Sequence, residues 1–104
     1  MGTMTVIHPD GTETVTLFTE GTQPSLDQLQ AAVGGLIEPV DAFCAEGVQA
    51  YVNEEGLLRG LPINPAGTAA VKWPVGERDR LTGSKVGPLV GPVVVLTGFP
   101  PDED

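Results

Sequence analysis

The chain has little of what reactive sites are built from. Among its 104 residues there is one cysteine, Cys44, and one histidine, His8. A lone cysteine forms no intrachain disulfide, and one cysteine with one histidine falls short of the soft donors a zinc centre needs. A Cys–His nucleophile pair would require both groups in one site with a third to orient the base. His8 falls in a hairpin turn, and Cys44 follows Ala42 and Phe43 in an apolar context that reads as an inert buried thiol. Aromatic residues are also scarce, so Tyr51, Trp73 and Phe99 are expected in or beside the core rather than on a stacking surface. No apolar run approaches the ~20 residues of a membrane span, and no charged start followed by an apolar signal core opens the chain. A soluble, cytoplasmic protein without cofactor or metal is the expectation.

Basic residues are absent from the first half altogether. Residues 1–58 hold nine carboxylates (Asp10, Glu13, Glu20, Asp27, Glu38, Asp41, Glu46, Glu54 and Glu55) and no Lys or Arg. All the cations, Arg59, Lys72, Arg78, Arg80 and Lys85, fall within residues 59–85, and Asp102, Glu103 and Asp104 close the chain. The formal net charge is -9. Direct binding to a nucleic-acid backbone, which Lys and Arg drive, is disfavoured over most of this surface. A partner protein with a basic surface is easier to accommodate.

What is present is turn and cap chemistry. Residues 3–7 and 14–18 alternate threonine with apolar residues around His8-Pro9-Asp10-Gly11, which predicts a β-hairpin with one apolar and one threonine-rich face. Ser25 with Gln28 forms a capping box, Leu26, Leu29 and Val33 share a helical stripe, and Gly34-Gly35 ends the helix. Extended chain resumes at residues 36–40, with Pro39 favouring an edge position or a strand end. Residues 51–65 carry the densest punctuation: Asn53-Glu54-Glu55-Gly56 predicts a tight turn that pairs Tyr51 and Val52 back onto Leu57 and Leu58. Asn64-Pro65 then predicts a helix start, with Asn as cap and Pro at the first helical position. Residues 74–87 are charged and glycine-rich, the one long loop candidate. Val93, Val94, Val95 and Leu96 read as a strand buried on both faces.

The fold expected is α+β, ββαββαβ, with about five mostly antiparallel strands and two short helices packed on one face. Its opening hairpin and helix are similar to those of β-grasp domains. One domain over residues 1–99 is followed by an acidic tail at 100–104.

The run over residues 51–65, followed by the small residues Ala66, Thr68 and Ala69 and then by Val90-Gly91-Pro92-Val93-Val94-Val95, resembles the family called domain of unknown function 3846. The opening hairpin and the helix ending in Gly-Gly before an Ile-Glu strand extend the resemblance over nearly the whole chain. These are small proteins of phages, plasmids and other mobile elements. The resemblance implies an accessory protein acting inside a bacterial host, and it implies no catalytic residue.

Candidate chemistry is thin. Gly76 and Gly83-Ser84-Lys85 fail the phosphate-loop spacing, since six residues separate the glycines and Ser84 precedes Lys85. Glu54 and Glu55 are neighbours in a turn and do not make an acid–base pair. The leading expectation is a non-enzymatic protein, monomer or homodimer, that binds a host or phage protein through an acidic face of Asp10, Glu13, Glu20, Asp27, Glu54 and Glu55. The alternative is a binder of small anionic ligands such as nucleotides, using Arg59, Lys72, Arg78, Arg80 and Lys85.

Overall fold

The register of the first hairpin departs from what its composition suggests. In the computed structural model, which describes residues 2–40, 48–73, 75–78 and 83–99, β1 (Gly2–Ile7) pairs antiparallel with β2 (Glu13–Phe18), Ile7 opposite Glu13. Gly11 N–H donates to His8 O at 2.9 Å, closing the predicted turn, and His8 N–H donates to Thr12 O at 2.8 Å. Gly11, at φ 90°, is the left-handed bulge residue of such a hairpin. The bulge moves the pairing on by one residue, so Met4 faces Thr16 while Val15 faces Thr5. Side chains alternate along a strand, and a slip of one residue exchanges the faces. The expected single apolar face is thereby corrected: Val15 and Leu17 lie opposite Met4 and Val6, at 57% and 67% exposure.

Three further strands, β3 (Ile37–Pro39), β4 (Val48–Asn53) and β5 (Val93–Thr97), complete a five-stranded sheet in the order β2-β1-β5-β4-β3. Every described pairing is antiparallel, and with α1 (Leu26–Val33) and α2 (Pro65–Ala70) the order is ββαββαβ, the predicted α+β fold. β5 is central, and its Val93 and Val94 are 0% exposed; burying each contributes about 1.5–3 kcal/mol. Pro39 sits in the edge strand as expected. Val40 N–H donates to Ala50 O at 2.9 Å, so the preceding residue turns its missing donor away from β4.

α1 is built as its caps predict. Ser25 Oγ accepts from Gln28 N–H at 3.1 Å, Gln28 Oε1 accepts from Ser25 N–H at 2.8 Å, and Gly34 ends the helix at φ 78°. Its Leu29 and Val33 pack on Met4, Val6, Val94 and Leu96. The residues around α2 pack elsewhere: Val71 joins Val40, Ala50, Val52, Leu89 and Val93. Because Val93 and Val94 point to opposite sides of β5, the two helices cover opposite faces of the sheet, not one face as expected.

A second correction concerns residues 57–61, which are not a strand. β4 already has β3 on one side and β5 on the other, so no edge remains for them to pair with. They fold as helical turns instead, Arg59 N–H donating to Glu55 O at 2.9 Å and Leu61 N–H to Gly56 O at 3.0 Å.

Asn64 joins the second half of the chain to the first. Its Oδ1 accepts from Gly67 N–H at 2.8 Å, capping α2 as predicted, while its Nδ2 donates to Ile7 O at 2.7 Å and Gly91 O at 2.8 Å. The side chain is fully buried and uses both amide ends. The helix it starts ends at Ala70.

Candidate functional site

A cavity of about 610 Å³ opens on the face of the sheet that α1 does not cover. Its floor comes from Val40 and Val52, which belong to the buried cluster around Val93. One wall is the turn at residues 54–60, and the opposite wall runs through Ile63 and residues 86–90. The volume is within the range of ordinary ligand pockets, roughly 300–1,000 Å³.

The turn is held rigidly at its base. Asn53 Nδ2 donates to Val33 O at 3.0 Å, and Asn53 Oδ1 accepts from Glu55 N–H at 2.8 Å. Arg59 Nη1 donates to Gly34 O at 2.8 Å, placing a cation at the C-terminus of α1, where the helix dipole favours one. A Cβ at Gly56 would stand 2.8 Å from Val90 Cγ2, so only glycine lets the two walls approach here. With the base pinned to α1, Leu57 and Leu58 project outward at 81% and 89% exposure.

The second wall is equally constrained. Ile63 bridges Val90, Asn64 N–H donates to Leu89 O at 2.8 Å, and Gly91 N–H to Pro62 O at 2.7 Å. Trp73 Nε1 donates to Gly87 O at 3.0 Å, which fixes its ring along the rim. Leu57, Leu58 and Ile63 would each be unremarkable alone as exposed apolar residues, but all three line one concavity. Apolar side chains gathered in this way make the concavity a candidate interaction site.

The ionisable groups lining the cavity are Glu38, opposite Val52 in the β3–β4 register, and Glu54. No Lys or Arg lines it among the described residues. An apolar concavity rimmed by two carboxylates suits an apolar body that carries positive charge. Among the described residues it is lined by no Ser, Thr, Cys or His, and no group of three or more His, Cys, Asp or Glu is placed to hold a metal ion.

The residues singled out from sequence are dispersed. Asp10 and Glu13 lie at the tip of the first hairpin, and Glu54 and Glu55 at the same end of the sheet beyond β4; Glu20 and Asp27 lie at the other end, after β2 and in the first turn of α1. Of the six, Glu54 alone lines the cavity. Asp10 accepts from Thr12 Oγ1 at 2.6 Å and from Thr12 N–H at 2.9 Å, and these bonds, the hydroxyl's first, hold its carboxyl below the usual aspartate range. Of the cations, Arg59 serves the turn, and Lys72 sits exposed just after α2 at φ 55°. Arg78 and Lys85 face each other across a short bridge, Arg78 Nη1 also donating to Gly83 O at 2.9 Å. Cys44, Arg80 and the acidic tail at 100–104 lie outside the described residues.

Sequence reasoning missed Glu38, Ile63 and the exposure of Leu57 and Leu58. The available signal was the pair Leu57-Leu58 next to Arg59-Gly60, which fits a capped turn as well as a strand. Among the described residues no helix is long and apolar enough to cross a membrane. No curated protein and no solved structure gives a significant match to the chain. The model of one family, described as Domain of unknown function (DUF3846), matches residues 3–104, essentially the whole length, and the chain belongs to that family.

Proposed function

We propose that this protein is a non-enzymatic interaction protein, an accessory of a phage or other mobile element acting in the cytoplasm of a bacterial host. It docks apolar side chains of a partner protein in the groove between Leu57, Leu58 and Ile63. The observation that carries the reading is the outward projection of two leucines from a turn whose base is bonded to α1. Covering these exposed side chains with a partner contributes roughly 25 cal/mol for each Å² of apolar area removed from water. The carboxylates at Glu38 and Glu54, with a net charge of -9, favour a partner with a basic surface.

A photo-crosslinking residue at position 58 tests this against one at Asp27, on the far side of the sheet. In host lysate, position 58 is expected to give a discrete adduct that disappears when Leu57 and Ile63 are changed to serine, while position 27 gives none. Equal labelling at both positions, or none at 58, overturns the reading.

A second reading, a small anionic ligand such as a nucleotide on the basic segment, is favoured by the Arg78–Lys85 juxtaposition. Calorimetry against nucleotides separates the two, because charge removal at Arg78 and Lys85 should abolish nucleotide binding and leave crosslinking at position 58 intact.

A further inference from the structure

β2 is an edge strand, and its exposed side is that of a strand awaiting a neighbour. His8 and Thr12 form a hydrogen-bonded pair at the hairpin end, and such pairs alternate along antiparallel strands. In this register Thr14, Thr16 and Phe18 direct their backbone groups toward β1, while Glu13, Val15 and Leu17 direct theirs outward. The same alternation recurs at the other edge, where Val40 N–H donates to Ala50 O and Glu54 N–H to Leu36 O. Edges are ordinarily blunted by Lys, Pro or a bulge within the strand. β2 has none of these between Glu13 and Phe18, and it carries the exposed Val15 and Leu17 on one face.

Two occupants fit the backbone, and charge decides between them. In the fullest two-fold register that the outward groups allow, Val15 pairs with Val15 of a second copy. That places Glu13 opposite Leu17 and brings Asp10 toward Glu20 of the other copy, at both ends of the interface. Like charges so placed are destabilising, and each copy carries -9. An extended segment with apolar residues at alternate positions and Lys or Arg at its ends meets Asp10 and Glu13 at one end and Glu20 at the other.

We infer that β2 is a docking edge for such a basic-ended segment of a partner protein, which adds a sixth strand to the sheet. Main-chain bonds from Glu13, Val15 and Leu17 supply the pairing, Val15 and Leu17 supply the apolar contact, and the flanking carboxylates select the charge. This surface is at the opposite edge of the sheet from the groove, and it stands or falls independently of it.

The test is amide hydrogen exchange read by NMR, with a short synthetic peptide that alternates valine and threonine and carries lysine at both ends. Added peptide is expected to protect the amides of Val15 and Leu17, leave Thr14 and Thr16 unchanged, and lose affinity as salt is raised. Val15→Pro removes an outward donor without breaking a bond to β1 and should abolish protection at Leu17. Since that variant could also disturb folding, Glu13→Gln with Glu20→Gln supplies a second check, weakening the lysine peptide several-fold and a threonine-ended control not at all. The inference is overturned if a glutamate-ended peptide binds equally well, if protection does not alternate, or if perturbation is confined to the groove. Protection of Val15 without peptide, in a species of twice the mass, overturns it in favour of a second copy.

Discussion

Asn64 shows how much one amide can hold. Its three side-chain bonds join the start of α2, the end of β1 and the approach to β5, and nothing in them is exposed to water. Asn64→Asp keeps the cap acceptor but replaces a donor facing two carbonyl oxygens with a carboxylate. A buried polar group left unpaired costs about 1–3 kcal/mol, and more when it is charged. Asn64→Asp is therefore expected to destabilise the fold more than Asn64→Ala does, and chemical denaturation of the two variants at neutral pH checks the order. The cap was legible in the sequence because Asn before Pro has a local meaning. The two bonds to Ile7 and Gly91 were not, since they depend on residues 57 and 27 positions away.

At the level of elements, α2 looks poorly made until its surroundings are considered. Gly67 lies in its first turns, where alanine would ordinarily gain about 1 kcal/mol of helix propensity. Here an added Cβ would stand 2.5 Å from Val93 Cγ2 and 2.8 Å from Val93 Cβ. Val93 is fully buried in the central strand and cannot withdraw. Overpacking of this kind costs about 1–3 kcal/mol, so Gly67→Ala should lower the melting temperature despite its better propensity. A rise on thermal unfolding would show that α2 does not seat on β5 as described. The same competition between local and tertiary preference explains which elements could be read in advance. Ser25, Gly34, Pro39 and the run Val93 to Leu96 carry signals that tertiary contacts reinforce. Leu57 and Leu58 carry an apolar signal that suits a strand, and they lost that role because both sides of β4 were taken. Val15 and Leu17 changed face through one bulge residue, Gly11, which shifts a register without altering the apolar pattern. The groove depends on the first of these, the turn at Leu57 and Leu58, and on Ile63 and residues 86–90 across from it, which only the fold brings together.

For the molecule as a whole, charge is set against compactness. With nine more carboxylates than cations, the folded state concentrates negative charge that the unfolded chain spreads out. Replacing Glu13, Glu20 and Glu54 with glutamine should raise the melting temperature at low ionic strength and change it little near about 1 M salt, where screening acts within about 3 Å. Equal shifts at both salt concentrations would assign the effect to local contacts instead.

The placement of β5 has a consequence for how the protein is made. Among the described residues, 93–97 are the last strand in chain order, and they lie between β1 and β4. Until the ribosome has released them, the nascent chain holds two separate strand pairs, β1 with β2 and β3 with β4, and no strand to join them. Assembly of the five-stranded sheet therefore waits until β5 has emerged. A frameshift or early stop shortly before Pro92 yields no smaller working version, only a chain whose apolar surfaces stay open to chaperones and proteases.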